Sequence, residues 1–257
     1  MKEKILNLYK KTIQTEINTQ ELDVWSERDH ESLELIKTLL PGPNSLVFDI
    51  GAHIGGKTDL FLSCQSRVVC VEPQPDCARF LKSKYMNRDD VWIEEVGLGA
   101  SESFLEMKIC SGAPTISTFS NDWVRKSRFT ELGYQWDRTI RVSMTTLDKL
   151  IQKYGVPDFC KIDAENYEFE ILRGLTRAIP CLSFEALEEY EDKTRLSLQY
   201  LASLGYREFN FTPGGRGLFC NAQWVGASTL ADQLHEMIQT VDWSGTYKMY
   251  GDVYARL

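Results

Sequence analysis

The sequence predicts an α/β chain built on a mostly parallel, doubly wound sheet. Three observations lead there. Short β-branched runs alternate with amphipathic helical stretches along most of the 257 residues. The first such run enters a glycine turn and then a helix, Val47-Phe48-Asp49-Ile50-Gly51-Ala52-His53-Ile54-Gly55-Gly56-Lys57-Thr58. Acidic residues stand at the carboxyl ends of four predicted strands: Asp49, Glu72, Asp163 and Glu185. Ligands of open α/β sheets bind at that edge, so four acids there predict a polar cleft.

The elements follow in order. Residues 1 to about 40 predict two helical segments, broken near Thr19 and closed by Leu39-Leu40-Pro41-Gly42-Pro43. They form an N-terminal cap over residues 1–43, with the main domain over 44–257. Residues 46–50 are the first strand and 57–66 the first helix. Val68-Val69-Cys70-Val71 leads the second strand, ended by Glu72 and by Pro73, which has no N–H for the ladder. A helix runs from Pro75 to about Tyr85, and Val91–Val96 is the third strand.

Phe104–Ile109 alternates as a half-exposed edge strand does. The hydroxyl-rich stretch Ser111–Ser120 and the basic, aromatic stretch Asn121–Tyr134 form an insertion, read either as a substrate lid or as a surface connection. Thr146 is placed to cap a helix reaching Tyr154. Pro157–Asp163 is the fourth parallel strand, and Tyr167–Leu175 a helix. Leu182–Glu185 is the fifth strand. A long helix ends at Gly205. Tyr206–Phe211 and Leu218–Val225 flank Pro213-Gly214-Gly215-Arg216-Gly217 and predict a C-terminal antiparallel hairpin. Ser228 opens a last helix. The tail, with Trp243, Tyr247, Tyr250 and Tyr254, is too aromatic to stay in solvent.

Composition narrows the partners. A formal charge of −8 and no basic stripe argue against a nucleic-acid footprint. No run approaches the roughly 18 apolar residues of a membrane span. The seven cysteines are odd in number and form no Cys-x-x-Cys; Cys70, Cys160, Cys181 and Cys220 lie in apolar runs and predict buried free thiols in a reducing cytoplasm. Three histidines make a zinc cluster unexpected, and no metal site is assigned.

Two spacings carry chemistry. Asp-x-Gly-x-x-x-Gly differs from the glycine pattern of dinucleotide sites and from the P-loop. Glu72 lies about 23 residues beyond Asp49, the distance expected between successive strand ends of a nucleoside-binding half. A carboxylate there accepts hydrogen bonds from ribose hydroxyls; its alternative role is to cap the helix near Pro75.

With these residues the chain resembles the class I S-adenosylmethionine-dependent methyltransferases, and within them the FkbM family. The resemblance rests on Phe48–Gly55, Glu72-Pro73, Thr145-Thr146-Leu147-Asp148, Pro157-Asp158-Phe159-Cys160-Lys161-Ile162-Asp163-Ala164-Glu165, then Glu170, Leu172, Gly174 and Leu204-Gly205-Tyr206, spanning about residues 45–210. It implies a Rossmann-like, seven-stranded sheet whose last strand is antiparallel, with helices on both faces. Two positions depart from the family pattern: His53 stands where Asn is usual, and Asn166 where Gly is usual.

The resemblance implies methyl transfer from S-adenosylmethionine, most often to a hydroxyl of a natural product or saccharide. Asp49 would orient the cofactor's ammonium, Gly51 and Gly55 would admit its methionyl part, and Glu72-Pro73 would take the ribose. Val96 and Gly97, within Glu95–Leu98, would wall the adenine. Asp163 is the first choice at the reacting centre and also a candidate cofactor contact. His53 is a candidate for cofactor contact and proton transfer, or a hydrogen-bond partner of its own loop. Glu185 is a further catalytic candidate; Glu165, Trp123 and Arg125 are substrate candidates. Asp163 or Glu165 alternatively caps the helix near Asn166, with Lys161 an internal ion-pair partner. A nicotinamide-dependent oxidoreductase and a catalytically silent cofactor-binding module are the competing readings. The expected partner is a small-molecule acceptor, with no nucleic acid and no membrane; the N-terminal helices and aromatic tail offer surfaces for a homodimer.

Overall fold

The computed structural model describes residues 27–214, 217–240 and 248–257. The predicted helical segment before Thr19, and Trp243 and Tyr247 of the tail, lie outside the described residues.

In chain order the elements are α1 (Glu27–Leu39), β1 (Leu46–Ile50), α2 (Gly56–Ser63), β2 (Arg67–Val71), α3 (Pro75–Lys84), β3 (Val91–Glu94), β4 (Gly97–Leu98) and β5 (Ser103–Ile109). There follow α4 (Asn121–Lys126), α5 (Arg128–Glu131), β6 (Arg138–Thr145), α6 (Leu147–Tyr154), β7 (Phe159–Ile162) and α7 (Glu168–Leu172). The chain closes with β8 (Cys181–Leu187), α8 (Glu191–Leu204), β9 (Glu208–Pro213), α9 (Ala227–Thr240) and β10 (Tyr250–Arg256). Seven strands form the main sheet in the order β3-β2-β1-β7-β8-β10-β9. β10 runs antiparallel to both its neighbours, and the remaining pairs are parallel. The predicted mostly parallel α/β sheet with antiparallel C-terminal strands is what forms.

Strand alternation sorts the core into two layers. Val47 and Val68 face Leu35, Leu60, Phe61 and Leu81 of α1–α3. Phe48 and Val69 face Leu150, Leu172, Leu201 and Leu230 of α6–α9. The β1 run is buried at all five positions, as a central parallel strand requires. Phe48 is fully buried, and truncating such a residue to Ala costs about 3–5 kcal/mol.

Two expectations need correction. Leu218–Val225 is not the hairpin partner of the preceding strand. Its main chain meets that strand at the isolated bridge Phe209–Val225 and through Cys220 N–H to the Phe211 carbonyl, and the Asn210 side chain ties it further by donating to the Asn221 carbonyl and accepting the Asn221 N–H. The ladder partner of β9 is the aromatic tail itself, β10, which inserts between β8 and β9 and so satisfies both of its edges. Cys220 is exposed, because it sits in that unladdered connection; Cys70, Cys160 and Cys181 are buried free thiols.

The insertion is ordered. β4, β6 and β5 make a small second sheet with β5 at its edge. Ser120 caps α4 by accepting the Trp123 N–H, and Ser127 caps α5 by accepting the Thr130 N–H. Arg128 pins the insertion to the main sheet: its guanidinium donates to Glu189 at 2.8 and 2.5 Å and to the carbonyls of Lys248 and Met249. Both partners are almost wholly buried. Removing either would leave an uncompensated buried charge, which costs about 3–5 kcal/mol.

Candidate active site

A cleft of about 690 Å³, mouth included, opens at the carboxyl ends of β1, β2 and β7. Main-chain geometry at β1 makes it. Gly51 turns with φ +79°, and a Cβ there would stand 1.8 Å from the Asp163 carbonyl oxygen. Only glycine lets the β1 turn pass the end of β7 so closely. Gly55 also has positive φ, but the atom its Cβ would strike is Tyr85 Oη at 2.4 Å. Its freedom serves packing against α3, and it does not line the cleft.

At one end of the cleft stands Glu72, 2% exposed. Its Oε2 accepts the His53 N–H and its Oε1 the Gln74 N–H, both at 2.8 Å. The carboxylate thus ties down the turn before α3 and still faces the cleft. Burial pushes its pKa up to about 7 despite those two donors. Each oxygen keeps a lone pair for a further donor. His53 lines the same end at φ +50°. Burial pushes its imidazole down to about 4, and its ring makes no hydrogen bond to a described residue.

At the other end is a crowd of acids. Asp163, Glu165 and Glu185 place carboxylate oxygens within 4.8 Å of one another. Lys161, nearly buried, donates to Asp163 Oδ2 at 2.9 Å, as the ion-pair reading of that lysine anticipates. Burial and mutual repulsion hold Glu165 and Glu185 well above the usual carboxylate range. Glu168, not Asp163 or Glu165, closes the start of α7: its Oε1 accepts the Ala164 N–H at 2.7 Å. That leaves Asp163 and Glu165 free of capping duty, and both line the cleft. Glu165 and Asn166 take φ +54° and +70° in succession. Such a conformation costs an ordinary residue about 1–2 kcal/mol and an Asn less.

The sequence-predicted residues divide cleanly. Gly51, His53, Glu72, Pro73, Val96, Gly97, Asp163 and Glu165 meet in the cleft. Asp49 lies behind it, wholly buried, its Oδ2 taking the Thr58 hydroxyl at 2.6 Å and its Oδ1 without a partner among the described residues. Glu185 stands beside the cleft in a second, smaller hollow with Lys193. Trp123 is placed elsewhere: it is fully buried, its indole N–H donating to the Ile116 carbonyl and its ring packed on Tyr190. Arg125 points to solvent in an ion pair with Asp122. Leu98 lies in the predicted wall segment and lines the cleft; lining residues that local patterns did not reveal are Gln74, Met107, Thr115, Ser117, Phe119 and Ile171. Four of these come from the region between β4 and α4, where the alternation of Phe104–Ile109 and the hydroxyl-rich run Ser111–Ser120 were the signals.

Residues 49–208 match the model of the methyltransferase FkbM domain. The chain belongs to the FkbM methyltransferase family. Its cofactor is therefore S-adenosylmethionine. No curated relative matches this FkbM protein in sequence. Among solved structures it is similar to a precorrin-6y C5,15-methyltransferase from Geobacter metallireducens, at 11% identity and TM-score 0.45, over 92% of this chain and 91% of that one. It is similar too to a TehB-like SAM-dependent methyltransferase from Corynebacterium glutamicum, at 9% identity and TM-score 0.46, over 98% and 100% of the two chains. An rRNA methylase from Streptococcus thermophilus matches at 10% identity and TM-score 0.44, over 91% and 98%.

The cleft of the FkbM chain fits this cofactor. A buried carboxylate with spare lone pairs, Glu72, suits a diol. The apolar wall of Val96, Leu98, Met107, Phe119 and Ile171 suits a purine. The carboxyl-lined end at Asp163 and Glu165 suits a ligand carrying an ammonium and a sulfonium. Among the described residues no helix is long and apolar enough to cross a membrane.

Proposed function

We propose that the protein transfers a methyl group to a hydroxyl oxygen of a small acceptor, a natural product or a saccharide. The observation that carries this reading is the acidic end of the cleft, where Asp163 and Glu165 share one cavity with Glu72. S-adenosylmethionine, when bound, supplies an electrophilic methyl that needs no further activation. The chain's own residues then bind, align, exclude water and take up one proton.

Glu72 holds the ribose through both carboxylate oxygens. Val96 and Gly97 form the nucleobase wall with Phe119. Asp49 supports the glycine turn from behind, through Thr58, rather than by direct contact. Asp163, fixed by Lys161, orients the acceptor hydroxyl or the cofactor's ammonium with its free oxygen. Glu165 receives the proton. Burial raises its pKa, so in its ionised form it is a stronger base than an ordinary carboxylate. Glu185 and Lys193 border the path of the acceptor. His53, held neutral by burial, keeps positive charge away from the sulfonium.

Two measurements test this. Titration calorimetry with S-adenosylhomocysteine is expected to show one site, and release of S-adenosylhomocysteine is expected with hydroxylated acceptors. Turnover confined to amine or carboxylate acceptors in such a panel would remove the hydroxyl assignment.

A further inference from the structure

One extended segment of the insertion touches both ends of the cleft. Ser117 and Phe119 line the cavity beside the nucleobase wall. Thr118 and Ser120, the alternate residues, reach the acidic turn. Thr118 Oγ1 donates to the Glu165 carbonyl at 2.7 Å and accepts the Ser120 N–H at 2.8 Å. Asn166 Nδ2 donates to Ser120 Oγ at 2.9 Å. The segment has little freedom of its own: Thr118 exchanges both backbone bonds with Lys108 of β5, and Ser117 Oγ accepts the Cys110 N–H. Thr118, Ser120 and Asn166 are all buried. Glu165 and Asn166, the residues so held, are the two with consecutive left-handed backbone angles. Among the described residues the Glu165 carbonyl is held by Thr118 of the insertion.

We propose that residues 117–120 act as a clasp that sets the Glu165 turn according to occupancy of the cofactor cavity, with Thr118 and Asn166 as positioning residues. A ligand packed on Ser117 and Phe119 adds a restraint from the cavity side to those already present, and Thr118 and Ser120 pass that added restraint to the base. Asn166 is the chain's own addition to the device. A glycine there would accept the φ of +70° but would carry no amide for Ser120. The cofactor would then bind first, and the acceptor would meet an oriented carboxylate. This inference rests on the reading of the cleft as a cofactor site.

Hydrogen–deuterium exchange with S-adenosylhomocysteine tests it, comparing bound with free protein within each variant. In the wild type, ligand is expected to slow exchange over residues 163–168 by about tenfold, the worth of roughly one buried hydrogen bond. Asn166→Gly, which keeps the backbone conformation, and Thr118→Val are expected to bind the ligand within about threefold of wild type while losing that slowing. Thr118→Ser restores it. Wild-type slowing in both Asn166→Gly and Thr118→Val would overturn the clasp and leave the cofactor assignment standing. If Thr118→Val does not fold, Asn166→Gly decides alone. Failure of the wild type to bind S-adenosylhomocysteine would instead remove the cofactor reading, and the clasp with it.

Discussion

The two ends of the cleft use the same chemistry in opposite ways. Each is built from carboxylates in or just beyond the carboxyl-terminal parts of the strands, Glu185 lying within β8 rather than at its end. Glu72 stands alone, with one backbone N–H on each oxygen at 2.8 Å, so the main chain dictates where it points. Asp163, Glu165 and Glu185 crowd within 4.8 Å, with Lys161 bonded to only one of them. The lone acid is a fixed acceptor, suited to recognising a constant group. In the crowded group burial and neighbouring charge raise Glu165 and Glu185, so the protonation of that pair depends on what lies beside it. A constant cofactor and a proton-yielding acceptor call for that division.

The sharpest way to break the comparison is to neutralise one acid at each end. Glu165→Gln is expected to lower turnover by about 10²–10⁴, the usual range for a lost general base, with affinity for S-adenosylhomocysteine nearly unchanged. Single-turnover kinetics beside calorimetry separates the two quantities. A variant with wild-type turnover would move the base elsewhere. Glu72→Ala is expected to do the reverse. It removes two charge-assisted hydrogen bonds to the ribose and weakens binding by about a hundredfold, about 2.7 kcal/mol. Unchanged affinity in a folded Glu72→Ala protein would deny it the ribose. Asp163→Asn should fall between, lowering turnover by about tenfold to a hundredfold through loss of an oriented charged partner, and lowering cofactor affinity less.

The same contrast explains what was legible in the sequence. Glu72, Pro73, Gly51 and His53 announce themselves because a strand, a turn and a helix start are local patterns with fixed spacing. Asp163 and Glu165 follow from the strand that precedes them. Phe119, Ser117, Thr115 and Met107 reach the cleft only through the fold of the insertion, where no period or spacing points at a distant cavity. Trp123 shows the converse error. An aromatic in a polar insertion suggests a substrate contact, yet Trp123 is the plug on which the insertion packs against Tyr190. β10 was hidden for a related reason: its ladder partners are β8 and β9, and the turn signal after Pro213 favoured the nearer segment.

The gentlest probe is pH, and its sign separates the two ends without touching turnover. Burial raises Glu72 and Glu168 to about 7 from an ordinary value of 4.5, and raises Glu165 and Glu185 well above that ordinary value too. Between those values the folded chain binds protons that the unfolded chain has lost. Stability is therefore full below about pH 4.5 for these groups and falls as pH rises through 7. His53 works the other way: lowered to about 4 from 6.5, it favours folding more as pH rises across that interval. Four carboxylates outweigh one imidazole, so the free protein should melt lower at pH 7.5 than at pH 5.5. A difference of about 1 kcal/mol corresponds to roughly 2–4 °C for a chain of this size. Glu72→Gln removes only its own share and leaves the slope owed to the crowded acids. Saturating S-adenosylhomocysteine should flatten the Glu72 share in the wild type, because hydroxyl donors favour its ionised form, and should stabilise more at pH 7.5 than at pH 5.5. A melting temperature that rises with pH in the free protein would mean that cations already neutralise the crowded acids, and the two ends would no longer differ in kind.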